Sequence, residues 1–96
     1  MRNIPTRFKL MGRDYTVSFG DPGEGNDGEH DFNTATITLR KSNTQGEWPI
    51  FGHELAHALL EAAGRMDLSE DESFTDVLGQ LMHQFLKTAK GNLNGS

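Results

Sequence analysis

His53-Glu54-Leu55-Ala56-His57, set within the run from Phe51 to Ala62, is the stretch that most restricts what this chain can become. Two histidines four residues apart lie one turn above the other on the same face of a helix. Both imidazoles can then reach one metal ion, with Glu54 beside them. The pattern therefore asks for a helix with two kinds of face. At about 100° per residue, Phe51, Leu55, Ala58, Leu59 and Ala62 share one stripe, and His53, Glu54 and His57 share another well separated from it. Thr44 and Glu47 have capping-box spacing, but a helix begun at Thr44 would drive the Pro49 ring against the carbonyl of Gln45. A start with Pro49 in the first helical position is the better expectation, with an end near Ala63 and Gly64 as the C-terminal cap.

A catalytic zinc takes three protein ligands and keeps one position for water, so the two histidines need a partner. The chain has no cysteine, which excludes thiolate ligands, a cysteine nucleophile and disulfides. The third ligand must be a histidine or a carboxylate. Candidates lie in the next periodic segment, where Phe74, Val77, Leu78, Leu81, Met82 and Phe85 form an apolar stripe that predicts a helix over 68–86 packed on the core by those residues. On its opposite stripe stand Glu72, Asp76, Gly79 and His83. Glu72 can ligate, although Ser69-x-x-Glu72 also has the form of a capping box. Asp76, one turn on, could accept the spare N–H of a metal-bound histidine and fix its tautomer. His83 is the rival third ligand. It lies three turns past Glu72, about 16 Å along the axis, so both cannot bind one ion. Glu61 reads as a solvated helix-end residue, and Gly79 as a point where two helices can approach closely.

Upstream, Ile4, Phe8 and Leu10 alternate with Arg7 and Lys9, predicting a strand over 4–11. Met11 to Asp14 read as a turn, and Tyr15, Val17 and Phe19 as the buried side of a second strand, giving a hairpin. Residues 20–33 are rich in Gly, Asp and Asn, have only Phe32 as a large apolar group, and do not match an EF-hand; they read as an exposed acidic loop. His30 within it is a candidate transition-state hydrogen-bond donor by elimination alone. Thr34 to Arg40 is the clearest strand, with Ala35, Ile37 and Leu39 facing inward. The expected fold class is α+β: an antiparallel or mixed three-stranded sheet packed on two C-terminal helices, the first carrying the motif. Residues 1–90 form a single domain and 91–96 a frayed tail.

Ninety-six residues bury only about two-thirds of their unfolded surface, so the core is thin and a bound metal would add stability that it lacks. With 9 Lys and Arg against 14 Asp and Glu, the formal charge of −5 does not favour nucleic-acid binding. No stretch has the length of a membrane span or the apolar core of a signal peptide, which predicts a cytoplasmic protein with no membrane partner.

Residues 47–86, and in particular Phe51 to Leu60 followed by Leu68-Ser69-Glu70-Asp71-Glu72, resemble the small HExxH proteins of phages and prophages that are related to the ImmA/IrrE family of metallopeptidases. The resemblance implies a minimal zincin fold of the gluzincin type, in the cytoplasm of a bacterial host. By position it implies His53, His57 and Glu72 as zinc (Zn2+) ligands, Glu54 as general base and Asp76 as the aspartate behind a ligand. The expected activity is hydrolysis of a peptide bond in a peptide or protein substrate. Tyr15, His30, Arg40 and His83 stand open as candidates to join the metal in stabilising the oxyanion. The short connection from His57 to Glu72 leaves little chain for the far wall of a cleft. The alternative expectation is accordingly a non-catalytic, zinc-stabilised interaction module.

Overall fold

The computed structural model describes residues 4–41 and 47–89. Four strands, β1 (Arg7–Leu10), β2 (Arg13–Gly20), β3 (Gly28–Asp31) and β4 (Thr36–Arg40), precede three helices, α1 (Glu47–Ala62), α2 (Met66–Ser69) and α3 (Glu72–Thr88). The strands form one sheet in the order β1-β2-β4-β3. It is mixed: β1 and β3 pair antiparallel with their neighbours, while β2 and β4 run parallel. The class is therefore α+β, with one more strand and one more helix than the sequence suggests.

The hairpin closes where expected, with Leu10 opposite Arg13 across Met11 and Gly12. Both turn residues have positive φ, 53° and 80°, the type I′ geometry that matches the twist of the flanking strands. The extra strand lies inside the segment read as a loop. Gly28 to Asp31 pair with Thr36 to Leu39, and this pairing, not side-chain hydrophobicity, makes β3 a strand. Two side chains, Arg40 and Asp31, hold the polar connections around it. Arg40 donates from Nε and Nη2 to the carbonyl of Asn26 and from Nη2 to that of Gly23. Beyond β3, the Asp31 carboxylate accepts from the backbone N–H of Asn33 at 2.9 Å, an Asx turn leading into β4.

Tyr15, Val17, Ala35, Ile37 and Leu39 are buried, and they meet Phe51 and Ala58 of α1. The inward alternation read along 34–40 is thus the main sheet contribution to the core. Fully burying a side chain such as Ile37 or Leu39 stabilises the fold by roughly 1.5–3 kcal/mol. Helix α1 starts at Glu47, two residues before the expected position, and carries Pro49 in its first turn, where no backbone N–H is needed by the helix. It ends in a Schellman arrangement: Arg65 N–H donates to the Leu60 carbonyl, Gly64 N–H to that of Glu61, and Gly64 has φ of 77°. The residues 42–46 before the helix and the tail 91–96 lie outside the described residues.

The stripe expected to seat α3 on the core is turned largely to solvent. Phe74, Val77, Leu81 and Phe85 are exposed, whereas Thr75 and Gly79 are buried. Steric closeness decides this orientation. A Cβ on Gly52 would lie 2.8 Å from the Gly79 carbonyl oxygen, and one on Gly79 would lie 2.9 Å from the Gly52 backbone and from His53 Cα. Two glycines let the helix backbones touch, and the face that approaches α1 is the one carrying Glu72, Asp76 and Gly79. No helix among the described residues is long and apolar enough to cross a membrane.

Candidate metal centre

Helix α1 sends His53 and His57 to the side shared with the start of α3. Their Nε2 atoms are 3.2 Å apart. Glu72, the first residue of α3, brings Oε1 to 3.3 Å from His53 Nε2 and Oε2 to 3.7 Å from His57 Nε2. Two ligand atoms at zinc's bonding distance on neighbouring tetrahedral corners are about 3.3 Å apart, so the three side chains already have the spacing of a shared coordination shell. His53, His57 and Glu72 could hold a metal ion. The donor set, two imidazoles and a carboxylate, fits a borderline ion such as zinc.

Where α3 begins brings Glu72, and not His83, to the histidine pair. His83 is carried three turns away and stacks its ring on Trp48, with centroids 6.0 Å apart. Ser69 does not cap α3, because a one-turn helix, α2, ends on it. The N-cap is Asp71, whose carboxylate accepts from Phe74 N–H at 3.1 Å. Glu72 is thereby released from the capping box. Asp76 is the carboxylate beside His53, with Oδ1 3.7 Å from Nδ1, beyond a hydrogen bond; it accepts instead from Gln80 Nε2 at 2.9 Å.

Glu54 projects from α1 toward β3 and is only 8% exposed. It belongs to the buried part of the helix, not to a free polar face. Gly28 makes this possible, since a Cβ there would come within 3.1 Å of Glu54 Cγ and 2.8 Å of Ile50 Cγ2. Burial pushes the Glu54 carboxyl up to about 7; the neighbouring His53 opposes the shift, and the charges of Glu72, Glu29 and Glu61 add to it. Burial likewise lowers His57 below the usual imidazole range, reinforced by His53. A neutral imidazole is the form that binds metal.

Behind His57 lies a contact that the sequence reading missed. Ser69 Oγ is 2.8 Å from His57 Nδ1 and donates to Glu61 Oε2 at 2.8 Å. Glu61 is therefore no solvated helix end. Its place one turn after His57 on the same stripe was the available signal. His30, expected in an exposed loop, sits on edge strand β3 with its side chain 2% exposed, and its Nδ1 is 3.6 Å from the same Glu61 oxygen. Burial lowers its pKa, against the pull of Glu61. Neither His30 nitrogen has a hydrogen-bond partner among the described residues.

These groups line an open cavity of about 450 Å³ between β3 and the helices. Of the side chains considered for oxyanion contact, Tyr15 is buried in the core, Arg40 is spent on loop carbonyls and His83 lies on Trp48. Compared with known protein families, characterised proteins and solved structures, the chain has no significant match.

Proposed function

We propose that this protein is a zinc-dependent peptide hydrolase, of the kind implied by its resemblance to the small phage and prophage HExxH proteins. One observation carries the reading: Glu72 converges with His53 and His57 while Glu54 stands buried and electrically strained beside them. Zinc in such a set supplies a Lewis acid and lowers the pKa of bound water toward neutrality. Glu54, whose carboxyl burial holds above the usual range in the metal-free chain, would take the proton of the attacking water and pass it to the leaving amine. His53, His57 and Glu72 hold the ion, and Asp76 is the aspartate nearest the outer nitrogen of His53.

Substrate entry follows from the sheet. β3 is an edge strand, pairing among the described residues with β4 alone, and it borders the cavity through Gly28, Glu29 and His30. An extended peptide can add to that edge by backbone hydrogen bonds. β4 has no such edge among the described residues, being enclosed by β2 and β3.

The test is hydrolysis of a peptide library by zinc-loaded protein, compared with Glu54→Gln. Loss of proton transfer is expected to slow turnover by about 10²–10⁴-fold with zinc still bound. Turnover unchanged in Glu54→Gln refutes the mechanism. A second reading, a zinc-stabilised interaction module, is favoured by the exposed apolar face of α3 formed by Phe74, Val77, Leu81 and Phe85. Absence of turnover together with unfolding on metal removal would select it.

A further inference from the structure

Helix α1 ends on an acid. Glu61 is in its last turn, and that turn contains no basic residue. A carboxylate there opposes the helix dipole. Glu61 is nonetheless drawn inward, with a side chain 14% exposed. Its contacts explain its position. One carboxylate oxygen accepts from the Ser69 hydroxyl at 2.8 Å, and that hydroxyl is 2.8 Å from His57 Nδ1. Ser69 is 3% exposed and is pinned by Thr75, whose hydroxyl reaches the Ser69 carbonyl at 3.2 Å and the Leu68 carbonyl at 3.3 Å.

The direction of these bonds is fixed by proton count. A carboxylate can only accept, so the single hydroxyl proton of Ser69 goes to Glu61. What Ser69 then presents to His57 is a lone pair, and His57 Nδ1 must carry a proton to meet it. We infer that Glu61 and Ser69 are positioning residues that lock His57 as the Nδ1–H tautomer, leaving the Nε2 lone pair aimed at the metal position. In the metal-free chain the 3.2 Å contact between the two Nε2 atoms needs one donor. With His57 committed to Nδ1–H, that donor is His53 Nε2–H. His30 is a neighbour of Glu61 and not a link, since 3.6 Å exceeds a hydrogen bond.

The consequence for metal affinity rests on the zinc reading above; the tautomer does not. Long-range ¹H–¹⁵N correlation spectra of the metal-free chain at about pH 8, where ordinary imidazoles are neutral, report which ring nitrogen carries the proton. The expected wild-type result is His57 protonated on Nδ1. Ser69→Ala removes the acceptor, and Glu61→Ala frees the hydroxyl to turn and donate to Nδ1. Both are expected to shift His57 toward Nε2–H. Zinc affinity, read by competition with a chromophoric chelator, should fall roughly 10- to 100-fold in each. Ser69→Thr, which keeps the hydroxyl, should restore both readouts. His57 protonated on Nε2 in the wild type, or tautomer and affinity unchanged in Ser69→Ala and Glu61→Ala, overturns the inference. A wild-type chain with the stated tautomer that takes up no zinc supports the relay and refutes the metal reading alone.

Discussion

Burying Glu54 costs this fold stability, and the cost depends on pH. Its carboxyl titrates near 7 in the metal-free folded chain against 4.5 when solvated. Below about pH 4 it is protonated in both states and contributes no pH dependence. Between the two values the unfolded chain ionises and the folded one does not, so folding stability falls as pH rises, levelling off above 7. The full loss is on the order of 3 kcal/mol. His30 and His57 act in the opposite sense, because their lowered pKa values remove stability as pH falls below the usual imidazole range. Comparing Glu54→Gln with wild type isolates the carboxyl. In denaturant unfolding of metal-free protein, the variant's relative stability should rise from about pH 4 to pH 8 by roughly the same 3 kcal/mol, and a pH-independent difference would contradict the burial argument. Glu54 itself was legible from the motif. Its burial was not, because Gly28 lies against it on a strand that the composition of 20–33 conceals.

At the scale of elements, the site depends on how closely α3 lies against α1. The Gly52–Gly79 contact is backbone against backbone, so no flexible side chain can yield to an added methyl. Gly79→Ala gains about 1 kcal/mol of helix propensity but overpacks the crossing. We expect a net destabilisation of about 1–2 kcal/mol and weaker zinc binding, since α3 can only move outward and takes Glu72 with it. Chemical denaturation and chelator competition measure the two effects; an alanine that stabilises the chain and leaves affinity intact would refute the close-packing account. Here the sequence misled in an instructive way. The apolar residues of α3 do recur at helical spacing, and the helix is real, but periodicity tells which residues share a face and not what that face meets. Glycine and threonine, small and weakly apolar, carry the contact instead. The hairpin, the inward face of β4 and the Gly64 cap were readable because turn chemistry and alternation are local. The short helix α2 was not, and with it went the true N-cap at Asp71 and the role of Ser69.

Across the whole molecule, a single sheet face covered by α1 makes a small core of Tyr15, Val17, Ile37, Leu39, Phe51 and a few alanines. The start of α3 is held against these elements by the glycine crossing and by the Thr75 bonds to α2. A metal shared by His53 and His57 on α1 and Glu72 on α3 would tie the two helices together where α3 begins, and binding energy of that kind becomes folding energy. The class α+β could be read from the order of strand and helix patterns, and the paired histidines from their spacing. Glu72 as the third candidate was implied by the resemblance, but periodicity alone did not separate it from His83 on the same stripe; the tertiary position of α3 is what brings Glu72 to the histidine pair. Zinc affinity therefore tests the central claim most directly, measured by competition titration on wild type, Glu72→Ala and His83→Ala. The expected result is a stoichiometric site in the wild type, weakened at least about tenfold in Glu72→Ala and unchanged in His83→Ala. A wild-type chain that binds no stoichiometric zinc, or one that loses it with His83 and keeps it without Glu72, would contradict the account.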